Sequence, residues 1–165
     1  MKKLFILFIL SILASPVLMA QGKIGSFNLQ EVLPKLTEYQ KAQEEMETYA
    51  KQIRDEVQSQ QEEFQKKLEI LQQEAPNLAP SVLSSRQAEL QTLQQEFEQF
   101  QQSAQTGAQQ LESKLMTPIL SKVQENVQKV ADSNGYAYIV KSEYCSAEVK
   151  SNDITPLVLK SLGVN

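Results

Sequence analysis

Two apolar seams, one after the other with a short breaker between them, constrain this chain more than any other feature. From Tyr39 to Ala75 apolar residues recur as Tyr39, Ala42, Met46, Tyr49 or Ala50, Ile53 and Val57. After a gap at Gln60 and Gln61 the series resumes with Phe64, Leu68, Leu71 and Ala75. The mean step is about 3.6 residues, which places one stripe on one face of an α-helix. A second seam runs Leu83, Arg86, Leu90, Leu93, Phe97, Phe100, Ala104, Gly107 or Ala108, and Leu111. Its step of about 3.5 residues is the coiled-coil repeat. Between the seams, Ala75-Pro76-Asn77-Leu78-Ala79-Pro80 stops the helix, because each proline disfavours the helical conformation in the residue before it.

Seams of similar length about one breaker predict an antiparallel helical hairpin. A turn centred near Asn77 and Leu78 sets Phe64 against Leu93, Val57 against Phe100, Ile53 against Ala104 and Met46 against Leu111. Gly107 and Ala108 then fall opposite Tyr49 and Ala50, which leaves room for the tyrosine ring. Phe97 faces the gap at Gln60 and Gln61, a softer spot in the pair. Each arm is about 55 Å long, from the helical rise per residue. Such a hairpin buries only one stripe per arm, so it needs an anchor elsewhere in the chain.

The flanking segments supply short elements for that anchor. Lys23-Ile24-Gly25-Ser26-Phe27-Asn28 reads as a strand, and Asn28 with Glu31 as a capping signature for a short helix that Pro34 interrupts. Thr37 with Gln40 repeats the signature and opens the first arm. Beyond the second seam, Leu115, Ile119, Val123, Val127 and Val130 continue the helix, with a kink expected at Pro118. Asn134-Gly135 is a helix exit. Tyr136 to Lys141 is the strongest strand in the chain, rich in aromatic and β-branched residues. A turn at Ser142 to Tyr144 leads to a shorter strand near Ala147 to Lys150. A last helix follows, with Thr155 as its cap, Pro156 at its first position and Gly163 ending it.

The predicted fold class is therefore α+β, mostly α: a long antiparallel hairpin projecting from a small β body. Residues 21–36 and 117–165 make the body and 37–116 the inserted arm, with its tip near 75–80. Three short strands and one short helix are too little core to stand alone. The expected remedy is oligomerisation that pools strands from several chains.

Residues 1–20 read as a secretory signal peptide: Lys2 and Lys3, an apolar run from Leu4, then Pro16 and small residues, with cleavage expected after Ala20. The apolar core is well short of the roughly 20 residues of a spanning helix. Losing Lys2 and Lys3 leaves a chain more acidic than its full net charge of −4. That argues against nucleic acid as a partner, since backbone binding needs dense Lys and Arg. The single cysteine, Cys145, excludes an intrachain disulfide framework and reads as a small packed side chain, with an interchain bridge as the alternative.

The chain has no histidine, so Ser-His-Asp and Cys-His relays and histidine-containing zinc sites cannot be built. It has no GxxxxGK[ST] phosphate loop. Pairs such as Glu47 with Lys51, Glu62 with Lys66 and Glu63 with Lys67 mark a solvated helix face. Gln94, Gln95, Gln99, Gln101, Gln102, Gln105, Gln109 and Gln110 interleave with the seam and read as a neutral helix face rather than a low-complexity tract. No enzyme activity, cofactor or metal is expected.

Several segments together resemble the Skp/OmpH family of periplasmic chaperones. They are the leader, the run Lys23 to Leu33, Glu38-Tyr39-Gln40-Lys41-Ala42-Gln43, and Pro118-Ile119. Val130-Ala131 with Asn134-Gly135-Tyr136, and Asp153-Ile154-Thr155-Pro156-Leu157-Val158-Leu159-Lys160, complete the set. The match runs in order along the chain beyond the leader. The resemblance implies a homotrimer in which strands of three chains form the body and three hairpins project from it. It also implies an ATP-independent holdase in the periplasm that keeps unfolded outer-membrane proteins from aggregating. The alternative is a periplasmic adaptor that pairs its coiled coil with one specific partner. Relatives are often basic, whereas this chain is acidic, which argues against lipopolysaccharide or membrane-surface contact. Thr37 also stands where relatives commonly have proline. Ile70, Leu78 and Val82, at or near the tip and partly off the seam, are the candidate client contacts. Ile24, Phe27, Tyr138, Ile139, Val140 and Val149 are the expected body core and subunit contacts.

Overall fold

The computed structural model describes residues 22–164; residues 1–20, where a signal peptide is expected, lie outside the described residues. Strand β1 (Lys23–Phe27) leads into a short helix α1 (Leu29–Val32) and a 3-10 turn over Leu33–Lys35. Helix α2 (Thr37–Glu74) and helix α3 (Pro80–Ser133) follow, joined by a 3-10 turn at Ala75–Asn77. Strand β2 (Tyr136–Lys141), a 3-10 turn at Ser142–Tyr144, helix α4 (Ala147–Lys150) and helix α5 (Thr155–Ser161) complete the chain. The architecture is mostly α with a small strand pair.

Helices α2 and α3 form the antiparallel hairpin. Lys67 near the end of α2 pairs with Glu89 near the start of α3 at 2.5 Å. At the opposite end, Glu38 pairs with Lys122. The register matches the seams. The Tyr49 hydroxyl donates to the Ala104 carbonyl at 3.4 Å, and a Cβ added to Gly107 would overlap that hydroxyl. Every seam position of α2 from Tyr39 to Ala75 is half-buried or buried, Gln60 included. On α3 the same holds except for Arg86 and Ala108, which are exposed. Arg86 sits near the tip, where a long cation reaches water without leaving the helix.

The core lies at one end. Phe27, Val32, Leu36, Ala42, Ile119, Val123, Val130, Ile154 and Val158 form one buried cluster. No residue between Ala42 and Ile119 is fully buried, so the hairpin holds together through its half-buried stripe alone. Pro118 is accommodated inside α3: the ring removes a donor from the Lys114 carbonyl, yet the helix continues to Ser133. Gly135, at φ 70°, ends it, since a residue without Cβ adopts that left-handed conformation without strain.

Strands β1 and β2 pair in parallel, with Ile24 beside Tyr138, Gly25 beside Ile139 and Ser26 beside Val140. Parallel strands require a long crossover, and the whole hairpin is that crossover. The expected strand at Ala147–Lys150 is instead one helical turn, α4, so Val149 lies on a helix. The other side of β1 is satisfied further on. Ser26 N–H donates to the Asn152 carbonyl at 3.1 Å, and Ile154 N–H donates to the Ser26 carbonyl at 2.9 Å. These two bonds seat the Asn152–Ile154 backbone beside β1 without a full strand. β1 is therefore flanked on both sides, and β2 has no second strand partner among the described residues.

Two caps differ from the sequence reading. Thr37 is not a cap: Leu36 precedes α2 without a side-chain cap bond, and the Gln40 amide donates instead to the Pro34 carbonyl. At α5 the capping acceptor is Asp153, which takes bonds from Thr155 N–H and the Thr155 hydroxyl. The Asn28 cap is as expected, with Oδ1 accepting from Gln30 N–H and Glu31 N–H.

Candidate functional site

The chain offers surfaces rather than one closed site, and the surfaces follow from the hairpin. Near the tip, Pro76 lies in the 3-10 turn, and Pro80 opens α3 at a position where the missing N–H costs nothing. Ile70 and Val82 flank that turn at 36% and 41% exposure, while Leu78 is half-buried and donates its N–H to the Ala75 carbonyl. Along the hairpin, the gap at Gln60 and Gln61 opens a cleft of about 640 Å³ floored by Phe64, Leu93 and Phe97. Gln60 occupies the seam beside it and donates to Glu56 at 2.9 Å. At the base a smaller apolar groove, about 370 Å³, is lined by Leu36, Ala42, Leu115, Pro118 and Ile119.

Among the described residues three ionisable groups are displaced from their ordinary values, each chiefly by a pair that crosses the hairpin. The hydrogen bond from Lys122 holds the Glu38 carboxyl below the usual carboxylate range. Lys67 does the same to Glu89, and its own ammonium is raised by Glu89 and then by Glu63. Glu38 and Glu89 are exposed and Lys67 is half-buried at the surface, so the pairs act as solvent-screened clips between the arms. Among the described residues no cluster of three His, Cys, Asp or Glu side chains is placed to hold a metal. Nor is any helix there long and apolar enough to cross a membrane.

The residues expected in the body and its contacts are spread over two environments. Phe27 is buried in the core, and Ile139 packs against it half-buried. Val140 and Val149 are half-buried. Ile24 and Tyr138, neighbours across the strand pair, are 42% and 70% exposed. Beside them Lys23 lies over the Tyr136 ring, 4.1 Å from its centroid.

Sequence reasoning missed the polar lock that joins the two ends of the chain. The fully buried Thr155 hydroxyl donates to Asp153 at 2.6 Å and accepts from Asn28 N–H at 3.0 Å. Asp153 two residues before a threonine-proline helix start was the available signal, as an Asx-type turn. Ile119, Val123 and Val130 were visible as periodic positions, but nothing in their spacing assigned them to the core with Val32, Leu36, Ile154 and Val158.

The profile of the family described as "Outer membrane protein (OmpH-like)" matches residues 23–162. "Chaperone protein Skp" of Pectobacterium atrosepticum is 24% identical over 149 residues, covering 90% of each chain. The Photorhabdus laumondii protein of the same name is 24% identical over 143 residues, covering 87% of each. A crystal structure from Caulobacter crescentus, described as an outer membrane chaperone (OmpH-like), superposes with a TM-score of 0.75. It does so at 16% identity, covering 87% of this chain and 85% of its own. Hairpin, parallel strand pair and profile thus agree over the described chain, which belongs to the OmpH-like outer membrane protein family.

Proposed function

We propose that this chain is a periplasmic holdase that works without nucleotide, sheltering unfolded outer-membrane β-barrel proteins between the arms of a homotrimer. The observation that carries the reading is the division of labour along the chain. Among the described residues all full burial is confined to one end, and the hairpin leaves that end with nothing fully buried between Ala42 and Ile119. Arms joined only at their base enclose a space that widens to fit its guest. A guest held there cannot pair its exposed strands with those of another. Preferential binding of the unfolded state raises its population by mass action, with no fuel. Two relatives carrying the name chaperone support this reading.

Trimerisation is part of the proposal. Among the described residues β2 has one edge without a strand partner, and Ile24 and Tyr138 stand exposed beside it. An exposed edge strand with aromatic and aliphatic neighbours is a liability for a lone chain and an interface for an assembled one. In the assembly, residues 21–36 and 117–165 form the shared body and 37–116 the arm, after export and loss of residues 1–20. Ile70, Leu78 and Val82 are the proposed contacts at the tip.

The test is dilution of a urea-unfolded outer-membrane β-barrel protein into buffer with the purified chain and no nucleotide. Light scattering should stay flat at a stoichiometric ratio. Aggregation that proceeds unchanged at several-fold excess of the chain removes the reading. A pull-down that returns one tight partner, and no set of barrel proteins, would instead favour the adaptor.

A further inference from the structure

Both methionines of the described residues, Met46 and Met116, line one surface groove from opposite helices of the hairpin. The groove holds about 500 Å³ and is completed by Tyr39, Gln43, Glu47 and Glu112. Helix geometry puts them together: Tyr39, Gln43, Met46 and Glu47 share one face of α2, and Glu112 and Met116 share one face of α3. Met46 belongs to the seam, while Met116 and Tyr39 pack half-buried against the body core. The pair thus lies just outside Ala42 and Ile119, the last fully buried residues of α2 and α3 before the half-buried stripe begins.

Sulfur is otherwise absent from the arm beyond this groove and from the fully buried core behind it. Cys145, the one other sulfur among the described residues, lies in the body with its thiol donating to the Lys141 carbonyl at 3.2 Å. A thioether packs as a soft apolar group, whereas its sulfoxide is polar. At the root of the arm that change removes apolar contact from both helices at one level. The sulfoxide oxygens, which carry partial negative charge, then share the groove with the Glu47 and Glu112 carboxylates. Leu111 and Leu115, the neighbouring seam residues, are themselves only half-buried.

We propose that Met46 and Met116 form an oxidation-sensitive latch between arm and body, opened by hypochlorous acid and closed again by reduction of the sulfoxides. At each residue Sδ loses two electrons and gains one S–O bond, the O–Cl bond of hypochlorous acid breaks, and chloride and a proton leave. A sulfoxide reductase reverses the change: the oxygen departs as water while a dithiol is oxidised to a disulfide. Opening loosens the arm at its root, a local event, and leaves the body core and the distal seam intact. It needs no client, so it stands or falls apart from the holdase reading.

The experiment compares the purified chain carrying Cys145→Ser, so that only methionine reacts, with the same chain carrying Met46→Leu and Met116→Leu in addition. Both further swaps nearly conserve volume. After a small molar excess of hypochlorous acid, mass spectrometry should find one added oxygen on each methionine of the folded parent. Its Tm should fall by about 5 °C, and a broad-specificity protease should make new cuts near Met46 or Met116. Methionine sulfoxide reductases of both stereospecificities, with dithiothreitol, should restore the Tm and remove the cuts. The leucine variant should keep its Tm and cleavage pattern through the same treatment. Methionines that stay unoxidised in the folded parent overturn the inference, as does oxidation of both with Tm and cleavage unchanged. A leucine variant that loosens as much as the parent, or new cuts at the tip instead of the root, overturns it too.

Discussion

Two contacts carry more than their size, and both are single side chains meeting the backbone of a distant segment. Thr155 joins the strand exit at Asn28 to the last helix through one hydroxyl that donates once and accepts once. Thr155→Val keeps the shape and removes both bonds, leaving a half-buried Asn28 N–H without its acceptor and a carboxylate with fewer donors. The expected cost is about 1–3 kcal/mol, read as a lowered urea midpoint with unchanged m. Gly107 sets the other contact. Alanine at an interior helix position usually gains about 0.5–1 kcal/mol over glycine, but here its methyl overlaps the Tyr49 hydroxyl. Gly107→Ala should therefore destabilise the hairpin by about 1 kcal/mol or more, and should do so less in a Tyr49→Phe background. A double-mutant cycle without coupling would show that the tyrosine does not set the spacing there.

Among the elements, the hairpin is held by a half-buried stripe with one interruption. Gln60 stands in the seam beside the cleft floored by Phe64, Leu93 and Phe97. Gln60→Leu fills that cleft with apolar surface and should stabilise the hairpin by about 1–2 kcal/mol, measured by thermal unfolding. A fall in Tm would mean that the cleft is already filled by water bound to the amide. The ion pairs across the hairpin predict its pH response. Glu38 and Glu89 have folded values below their ordinary ones. Their contribution is thus present above the ordinary carboxylate range and lost as pH falls through the depressed folded values. Lys67 is raised, so its share is present below the ordinary lysine value and lost as pH rises through the higher folded one. Tm should be flat between these limits and decline outside them, and salt should flatten the declines because both pairs lie at the surface.

For the whole molecule, the question is what covers β2. Its edge without a strand partner among the described residues and the exposed Tyr138 lie on the same small body. In the proposed trimer a charge there would be buried against a neighbour. Tyr138→Glu should therefore convert a species three chains in mass to a monomer by light scattering coupled to size exclusion. The arms should keep their helicity, because the seam lies elsewhere. A variant that retains the parent mass would place the subunit interface away from β2.

The hairpin was legible in the chain alone because its partners are local. A stripe of period 3.6, a proline-bounded turn and a small residue opposite a tyrosine determine helix, direction and register through contacts that the linear order already implies. Arg86 escaped that logic only because a position near the tip leaves the seam open to water. The body was less legible. The parallel pairing of β1 with β2 joins segments separated by the entire hairpin, and no local pattern states which distant strand closes a ladder. The helical turn at Ala147–Lys150 has the same origin: backbone bonds from Ser26 to Asn152 and Ile154 take the place a third strand was expected to fill. Sequence by itself determined the arms, where burial is periodic. Only the tertiary structure decided the body, where burial and polar satisfaction depend on segments brought together from the two ends of the chain.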